Sequence, residues 1–166
     1  MAEIIKTMKL YMHTDAAADK LFMEESVQYM LACNHVSQYI FDNGFPLNYM
    51  ELHNKLYTDI RYNFNLKAQM AQSCIKTVVA RYKTVKEQLF QSPYTYKDEN
   101  GKTCYITRTL ERLRQPINFK RPQIDLVRNR DYSFTKDGLL SVNTLGKRTK
   151  VTFEKPECFE KYFDGS

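Results

Sequence analysis

The sequence predicts an α+β protein in which a small β module is interrupted by a helical insertion. Residues 3–12 partly alternate apolar and polar side chains, as strands do, and short β-rich segments return after residue 122. Between them, two long stretches repeat apolar residues at helical spacing. With 166 residues, 43% of them apolar, the chain has the length and composition of one globular domain, with or without a modest insertion.

The first helix is predicted to begin just after the first strand. Thr14 suits the N-cap position, and Asp15 suits the first turn because its negative charge is stabilised at the start of a helix. Apolar residues then recur at helical spacing up to about Asn43, and Gly44 can adopt the left-handed conformation that ends a helix. A shorter helix is predicted over residues 47–57.

The strongest helical pattern covers residues 66–90. At about 100° per residue, one broad face is apolar and consists of Leu66, Met70, Cys74, Val78, Tyr82, Val85 and Leu89. A narrow sector on the far side consists of Gln69, Gln72, Lys76 and Lys83. Glutamine can bind adenine through two hydrogen bonds in a major groove, and lysine can reach phosphate or guanine. Two interpretations stay open for this sector, a nucleic-acid-binding strip and an ordinary polar helix face.

The second half of the chain predicts short strands and a basic turn. Residues 94–96 and 104–107 flank the turn signal Asn100-Gly101 as a hairpin or an extended loop would. A short helical turn is predicted where Arg108, Arg112 and Arg114 follow. Further strands are predicted at residues 123–129, 132–134, 139–145 and 148–153. Short strands at this spacing predict a small barrel or a sandwich.

Positive charge is concentrated in two neighbouring segments. The whole chain has a net charge of +6, whereas residues 66–90 carry five basic and one acidic side chain, a net charge of +4. Residues 101–150 carry twelve basic and four acidic side chains, a net charge of +8. Basic residues interleaved with Tyr and Phe suit phosphate neutralisation and base stacking, although a solvated basic surface is the alternative. An anionic membrane surface is disfavoured because no basic amphipathic helix with exposed bulky apolar residues is present.

Motifs of enzymes and membrane proteins are absent from the sequence. No phosphate-binding loop, dinucleotide-binding glycine motif or nucleophile elbow occurs, and the histidines lack metal-binding spacing. The four cysteines are widely separated, which favours reduced thiols of a cytosolic protein. No apolar run approaches the roughly 20 residues of a membrane span, and no signal peptide is visible. The residues alone therefore predict a nucleic-acid-binding module without catalytic residues, metal site or cofactor.

Four segments resemble one known family in order and spacing. They are residues 32–37 (ACNHVS), 66–73 (LKAQMAQS), 78–83 (VVARYK) and 120–126 (KRPQIDL). Together they resemble the TnpB (OrfB) family, insertion-sequence proteins of transposable elements that are often called transposases. The resemblance covers essentially the whole chain. It implies an RNA-guided DNA endonuclease related to the compact type V CRISPR effectors.

The resemblance also implies a domain organisation. In that family an oligonucleotide-binding-like β-barrel, the wedge domain, is interrupted by a helical recognition lobe. Here the barrel would comprise residues 1–12 and 118–166, and the lobe residues 13–117. The family's RuvC-like nuclease domain, with its magnesium and zinc ligands, lies further along the chain, and this sequence stops before it. The expectation is a truncated, N-terminal portion that is not an enzyme and needs neither metal.

The resemblance further suggests partners and site residues. It implies a guide RNA and double-stranded target DNA as partners, in the bacterial cytoplasm and on the nucleoid when DNA is bound. It places Gln72 at a position that reads a short DNA motif, residues 67–69 near a second such position and Arg128 near a third. Together with the charge pattern, the predicted nucleic-acid-binding residues are Lys67, Gln69, Gln72, Lys76, Lys83, Arg108, Arg112, Arg114, Lys120, Arg121, Arg128 and Arg130. The alternative is a stand-alone RNA-binding or regulatory module that does not target DNA.

Overall fold

The computed structural model describes residues 7–121 and 123–157 and confirms the α+β class. Within these residues there are three α-helices, a four-stranded antiparallel sheet and a separate two-stranded hairpin. The chain divides into two compact units. The terminal unit comprises Met1–Glu24 and Val127–Ser166, and the central unit comprises Glu25–Leu126. The sequence-based division at residues 12/13 and 117/118 has the same discontinuous form with different boundaries.

Helix α1 spans Ala16–Asp42, close to the predicted range. The residue that caps it is Asp15 rather than Thr14, because the Asp15 carboxylate accepts a 2.7 Å hydrogen bond from the amide of Ala18. At the other end Gly44 has φ +76°, the left-handed conformation that was expected there.

Helix α2 spans Tyr49–Asn63 and is longer than predicted. The side chain of Asn48 caps it by accepting hydrogen bonds from the amides of Met50 and Glu51. The buried residues are Leu52, Leu56 and Ile60, which recur at i and i+4. The apolar repeat therefore continues one turn beyond residue 57, and this burial stabilises the additional turn.

Helix α3 spans Ala68–Gln91 and packs against α2. Most of its predicted apolar face is buried, whereas Val85 and Leu89, near its end, are half-buried. The face is wider than predicted, since Ala71, Ser73, Ile75 and Val79 are also buried. At 100° per residue the buried positions cover about 240° of the helix circumference, so little of α3 remains for solvent.

Tyr29 and Cys33 of α1 make polar contacts with α3 inside the central unit. The hydroxyls of Tyr29 and Thr77 lie 3.1 Å apart, and burial raises the pKa of Tyr29, so its hydroxyl stays protonated. The sulfur atoms of Cys33 and Cys74 lie 3.6 Å apart as free thiols. A hydrogen bond with Cys33, together with burial, raises the pKa of Cys74.

The four-stranded sheet belongs to the terminal unit and has the order β1-β6-β5-β4. Its strands are β1 (Tyr11–His13), β4 (Tyr132–Phe134), β5 (Leu140–Asn143) and β6 (Arg148–Glu154). Strand β1 pairs with β6, so the two ends of the chain share one sheet. In the described residues this sheet is open, and the predicted closed barrel is not formed.

Two strand predictions differ from the structure. The first predicted strand, residues 3–12, is observed only from Tyr11, and residues 3–6 lie outside the described residues. Residues 123–129 form no strand, although Arg128 makes an isolated bridge with Tyr132. The chain turns here because the buried Asp131 carboxylate accepts a 2.9 Å hydrogen bond from the amide of Val127. An acidic side chain that bonds nearby backbone favours a turn over a strand.

The hairpin belongs to the central unit and was predicted correctly. It consists of β2 (Tyr94–Lys97) and β3 (Thr103–Ile106). Asp98 holds its turn, because one carboxylate oxygen accepts hydrogen bonds from the amides of Asn100 and Lys102. A short 3-10 turn, Leu110–Arg112, follows, as the sequence predicts.

Candidate nucleic-acid interface

The predicted polar sector of α3 lies in the part of the helix that is not buried. This sector, called the α3 strip below, consists of Gln69, Gln72, Lys76 and Lys83. The two glutamines are half-buried and the two lysines are exposed. At 1.5 Å rise per residue the strip is about 21 Å long. The strip is therefore a narrow row of amide and ammonium groups on a well-anchored helix.

Contacts at the N-terminal half of the strip limit where its side chains can go. The Lys76 ammonium lies 5.4 Å from the ring centroid of Tyr49, at the start of α2. Lys67 occupies the N-cap position of α3 and makes no side-chain capping hydrogen bond there. Lys83 and Gln72 make no hydrogen bond, ion pair or ring contact with the described part of the chain. Lys83 and Gln72 are therefore the members of the strip most available to a ligand.

A second group of predicted residues lies in one segment after the hairpin. This basic segment, residues 108–121, includes Arg108, Arg112, Arg114, Lys120 and Arg121. Arg108 is half-buried and the other four are exposed. None of the five forms an ion pair with a carboxylate of the residues that the structure describes. Unpaired cations on one short segment attract polyanions, and salt screens that attraction.

Asn34 of α1 holds the end of the basic segment. Its amide nitrogen donates a 3.1 Å hydrogen bond to the carbonyl of Phe119, and its amide oxygen accepts a 2.8 Å bond from the Phe119 amide. The side chain thus pairs with the backbone as a neighbouring strand would. Phe119 directly precedes Lys120 and Arg121, so the backbone is fixed next to these two exposed cations.

Ser37 and Tyr82 hold the same segment two residues earlier. The Ser37 hydroxyl donates a 2.7 Å hydrogen bond to the Ile117 carbonyl, and the Tyr82 hydroxyl accepts a 3.2 Å bond from the Ile117 amide. Tyr82 also donates to the backbone carbonyl of Ser37, at 3.1 Å. Ser37 and Tyr82 are both fully buried and Ile117 is half-buried, so this network joins α1 and α3 in the core to the basic segment at its edge.

The basic segment adjoins the C-terminal half of α3, where the α3 strip ends at Lys83. Tyr82, which contacts the basic segment through Ile117, is the neighbour of Lys83 in the strip. Consecutive helical residues point about 100° apart. The start of the basic segment also lines a pocket with Lys86 and Phe90, so the segment is not confined to the side of α3 that carries Tyr82.

Two predicted residues, Arg128 and Arg130, belong to the terminal unit. The Arg128 guanidinium lies 5.6 Å from the ring centroid of Phe134, so part of its charge is directed at an aromatic face. The backbone carbonyl of Arg130 accepts a 3.0 Å hydrogen bond from the side-chain amide of Asn143. The Arg128 side chain thus contacts the sheet, whereas Arg130 contributes its backbone carbonyl to this bond.

The structure also presents polar groups that the sequence interpretation missed. In the terminal unit a cleft of about 480 Å³ is lined by the first turn of α1 and by β6. Lys147, Lys150 and the hydroxyl residues Thr149 and Thr152 contribute to it. On β6 the alternation of polar residues with the buried Val151 was visible in the sequence, and so was helix α1, but the placement of the start of α1 beside β6 was not.

An aromatic row on α2 was also missed. Tyr49, His53 and Tyr57 follow one another at i+4 spacing, and the rings of His53 and Tyr57 stack with centroids 4.6 Å apart. The Arg61 guanidinium lies 5.9 Å from the ring of Tyr57, at the far end of the row. Because these rings cover one another's faces, the row stiffens α2 more than it offers free ring faces to bases.

Neither a cation site nor a membrane span is found in the described residues. Residues 7–121 and 123–157 contain no group of three or more His, Cys, Asp or Glu side chains placed to hold a metal ion. The described helices include none that combines the length and apolarity needed to cross a bilayer. Comparisons with protein-family models, with curated proteins and with solved structures found no match.

Proposed function

We propose that this chain binds RNA through the basic segment and corresponds to the N-terminal nucleic-acid-binding portion of a TnpB-like RNA-guided nuclease. In this role it binds guide RNA and double-stranded target DNA in the bacterial cytoplasm, and it does not cut DNA by itself. The observation that carries the proposal is the hydrogen-bond network of the half-buried Asn34 and the buried Ser37 and Tyr82, which anchors a segment of unpaired cations.

The same network supports the family resemblance. Asn34 and Ser37 lie in the first resembling segment, Tyr82 lies in the third, and Phe119 directly precedes the fourth. Two of the four segments that carry the resemblance thus contribute side chains to one set of hydrogen bonds, and the fourth begins directly after it.

We propose that the open sheet of the terminal unit has the same role as the wedge barrel of that family. The pairing of β1 with β6 supports this proposal, because strands from the two ends of the chain form one module around the inserted residues. In this assignment the three helices provide the recognition lobe.

RNA binding is the first test of the proposed function. The chain is expected to bind a structured RNA with an affinity that falls steeply between about 50 and 200 mM salt, because each neutralised phosphate releases counterions. For five phosphate contacts the logarithmic slope is about −3 to −4. Fluorescence anisotropy with labelled RNA measures it. A slope near zero would contradict the electrostatic basis of the proposal.

Motif reading by the α3 strip is a separate prediction. In the RNA-bound protein, Gln72→Ala should relax the preference at one base pair by about 1–3 kcal/mol, because an amide in contact with a base edge distinguishes bases. The salt dependence should stay unchanged because Gln72 is neutral. A selection from duplex DNA with a randomised short motif measures the preference.

Lys83→Ala is the matched control for Gln72→Ala. It changes an exposed residue of the same strip, and it should weaken binding to all DNA sequences alike, because phosphate contacts position the protein without specifying the sequence. Identical motif preferences for wild type and Gln72→Ala would remove Gln72 from the reading site. RNA binding without any DNA preference would favour the alternative role of a stand-alone RNA-binding module.

A further inference from the structure

The hairpin of the central unit carries an unusual set of exposed rings. Tyr94 is 53% exposed, Tyr96 44% and Tyr105 68%, and Ile106 is exposed as well. A two-stranded hairpin is only marginally stable by itself, and exposed aromatic rings on it forgo the stabilisation that burial would give them. The rings are therefore better placed for a ligand than for the stability of the free protein.

The register of the hairpin divides these side chains between its two faces. Tyr94 pairs with Ile106 and Tyr96 pairs with Cys104, whereas Tyr105 pairs with Thr95. Directly opposed residues share a face and successive residues alternate. Tyr94, Tyr96 and Ile106 therefore form one face, called the Tyr94 face below, and Tyr105 lies on the other. Along the strand Tyr94 and Tyr96 are about 6.6 Å apart.

The hairpin turn keeps the Tyr94 face in shape without help from a ligand. Asp98 accepts hydrogen bonds from two turn amides, at 2.9 and 2.8 Å, and Gly101 has the left-handed φ of +75° that the turn requires. The two strands are thus held in one register. A preformed surface loses little conformational entropy when it binds.

Charge favours a nucleic acid as the occupant of the Tyr94 face. Lys102 lies beside the turn, and Arg108, the first cation of the basic segment, follows β3 after one residue. Lys97 pairs with Thr103 and lies on the Tyr105 face. Of the two nearby carboxylates, Asp98 is already engaged by the turn. Tyrosines next to cations that follow a backbone are the combination by which proteins bind unpaired bases, and sheet-borne aromatic rings stack on two or three bases in one common RNA-binding fold.

We propose that Tyr94 and Tyr96 stack on two unpaired bases of the RNA whose phosphates the basic segment neutralises. The inference rests on the proposed RNA binding and adds to it the kind of RNA, a strand with unpaired nucleotides next to the segment. Fully paired RNA offers no free base faces, so it engages the cations only. The chain therefore prefers single-stranded over duplex RNA of equal length.

The test compares ring removal on the two faces of the hairpin. The probe is an unstructured oligouridine, with a self-complementary RNA duplex of equal length as reference, and both are titrated against the full chain. Tyr94→Leu/Tyr96→Leu should weaken oligouridine binding by about fivefold or more, because a leucine has no ring face to stack on a base. Its salt slope should stay unchanged, since no charge is removed. Duplex binding should change less than twofold.

Two variants serve as controls. Tyr105→Leu removes a more exposed ring from the opposite face and should leave oligouridine affinity within about twofold of the wild type. Tyr94→Phe/Tyr96→Phe keeps both rings and should also bind normally. To make the result independent of variant stability, 4-thiouridine RNA is photocrosslinked to the wild-type chain, and the crosslinked peptide should contain residues 94–96.

The outcomes separate this inference from the proposed function. If the wild type binds RNA but the leucine pair binds equally well, or if Tyr105→Leu causes the same loss, stacking on the Tyr94 face is wrong and RNA binding stands. If the wild type binds no RNA, both are wrong. Self-association of the chain that is lost in the leucine pair, with no crosslink at residues 94–96, would show that a second copy covers the face and would also overturn the inference.

Discussion

Reversal of four exposed cations in the basic segment should lower RNA affinity by about a hundredfold or more near physiological salt. Each phosphate contact that is lost removes its share of counterion release, about 0.7 of the logarithmic salt slope for single-stranded RNA. Four contacts therefore account for a slope change of about 3, and the introduced carboxylates add repulsion. The changes are Arg112→Glu, Arg114→Glu, Lys120→Glu and Arg121→Glu.

A matched variant distinguishes a site from the general attraction of a basic protein. It changes the net charge by the same amount at four exposed lysines elsewhere, Lys9, Lys20, Lys55 and Lys136. Anisotropy titrations of both variants against the same RNA measure the difference. We expect the matched variant to keep most of the salt slope. If both variants lose affinity equally, the basic segment is not a binding site and only net charge matters.

Tyr82→Phe should destabilise the central unit by about 1–3 kcal/mol. The substitution keeps the buried ring and removes the hydroxyl that accepts from the Ile117 amide and bonds Ser37. The part-buried Ile117 amide and the buried Ser37 then lose a partner, and leaving a buried polar group unsatisfied costs more than the hydrogen bond contributes. Urea unfolding measures the loss, and amide hydrogen exchange at Ile117 should accelerate.

Tyr62→Phe is the control for this prediction. Tyr62 is 82% exposed on α2, so loss of its hydroxyl should change stability by less than about 0.5 kcal/mol. The Tyr82→Phe protein should also bind RNA more weakly, because the basic segment is held less firmly. Unchanged stability together with unchanged exchange at Ile117 would show that the network does not anchor the segment.

Local pattern accounts for most of the helices and for the hairpin. The apolar repeats of α1 and α3, Gly44 after α1 and the turn at Asn100-Gly101 are signals within a few residues of one another, and the structure follows them. The end of α2 was placed too early because residues 58–63 contain one apolar position, Ile60, that stabilises the helix only when it is buried. Burial of that kind is not visible in a short window of sequence.

The strand and barrel predictions failed for a similar reason. Residues 123–129 have the composition of a strand, but the Asp131 carboxylate bonds the Val127 amide and turns the chain. Whether neighbouring strands close into a barrel depends on pairings between distant segments, and in the described residues they form an open sheet. A one-dimensional pattern of apolar residues does not specify how many pairings a sheet contains.

The cations and glutamines of the candidate site could be found from the sequence, because charge and helical position are properties of the residues themselves. The hydrogen bonds that anchor the basic segment could not be found in this way. Asn34 and Phe119, which pair through two hydrogen bonds, are 85 residues apart in the sequence. Ser37 and Ile117 are 80 residues apart. Hydrogen bonds over such separations form only once α1, α3 and the basic segment pack together. That packing removes polar groups from water, and each of them then needs a hydrogen-bond partner within the protein.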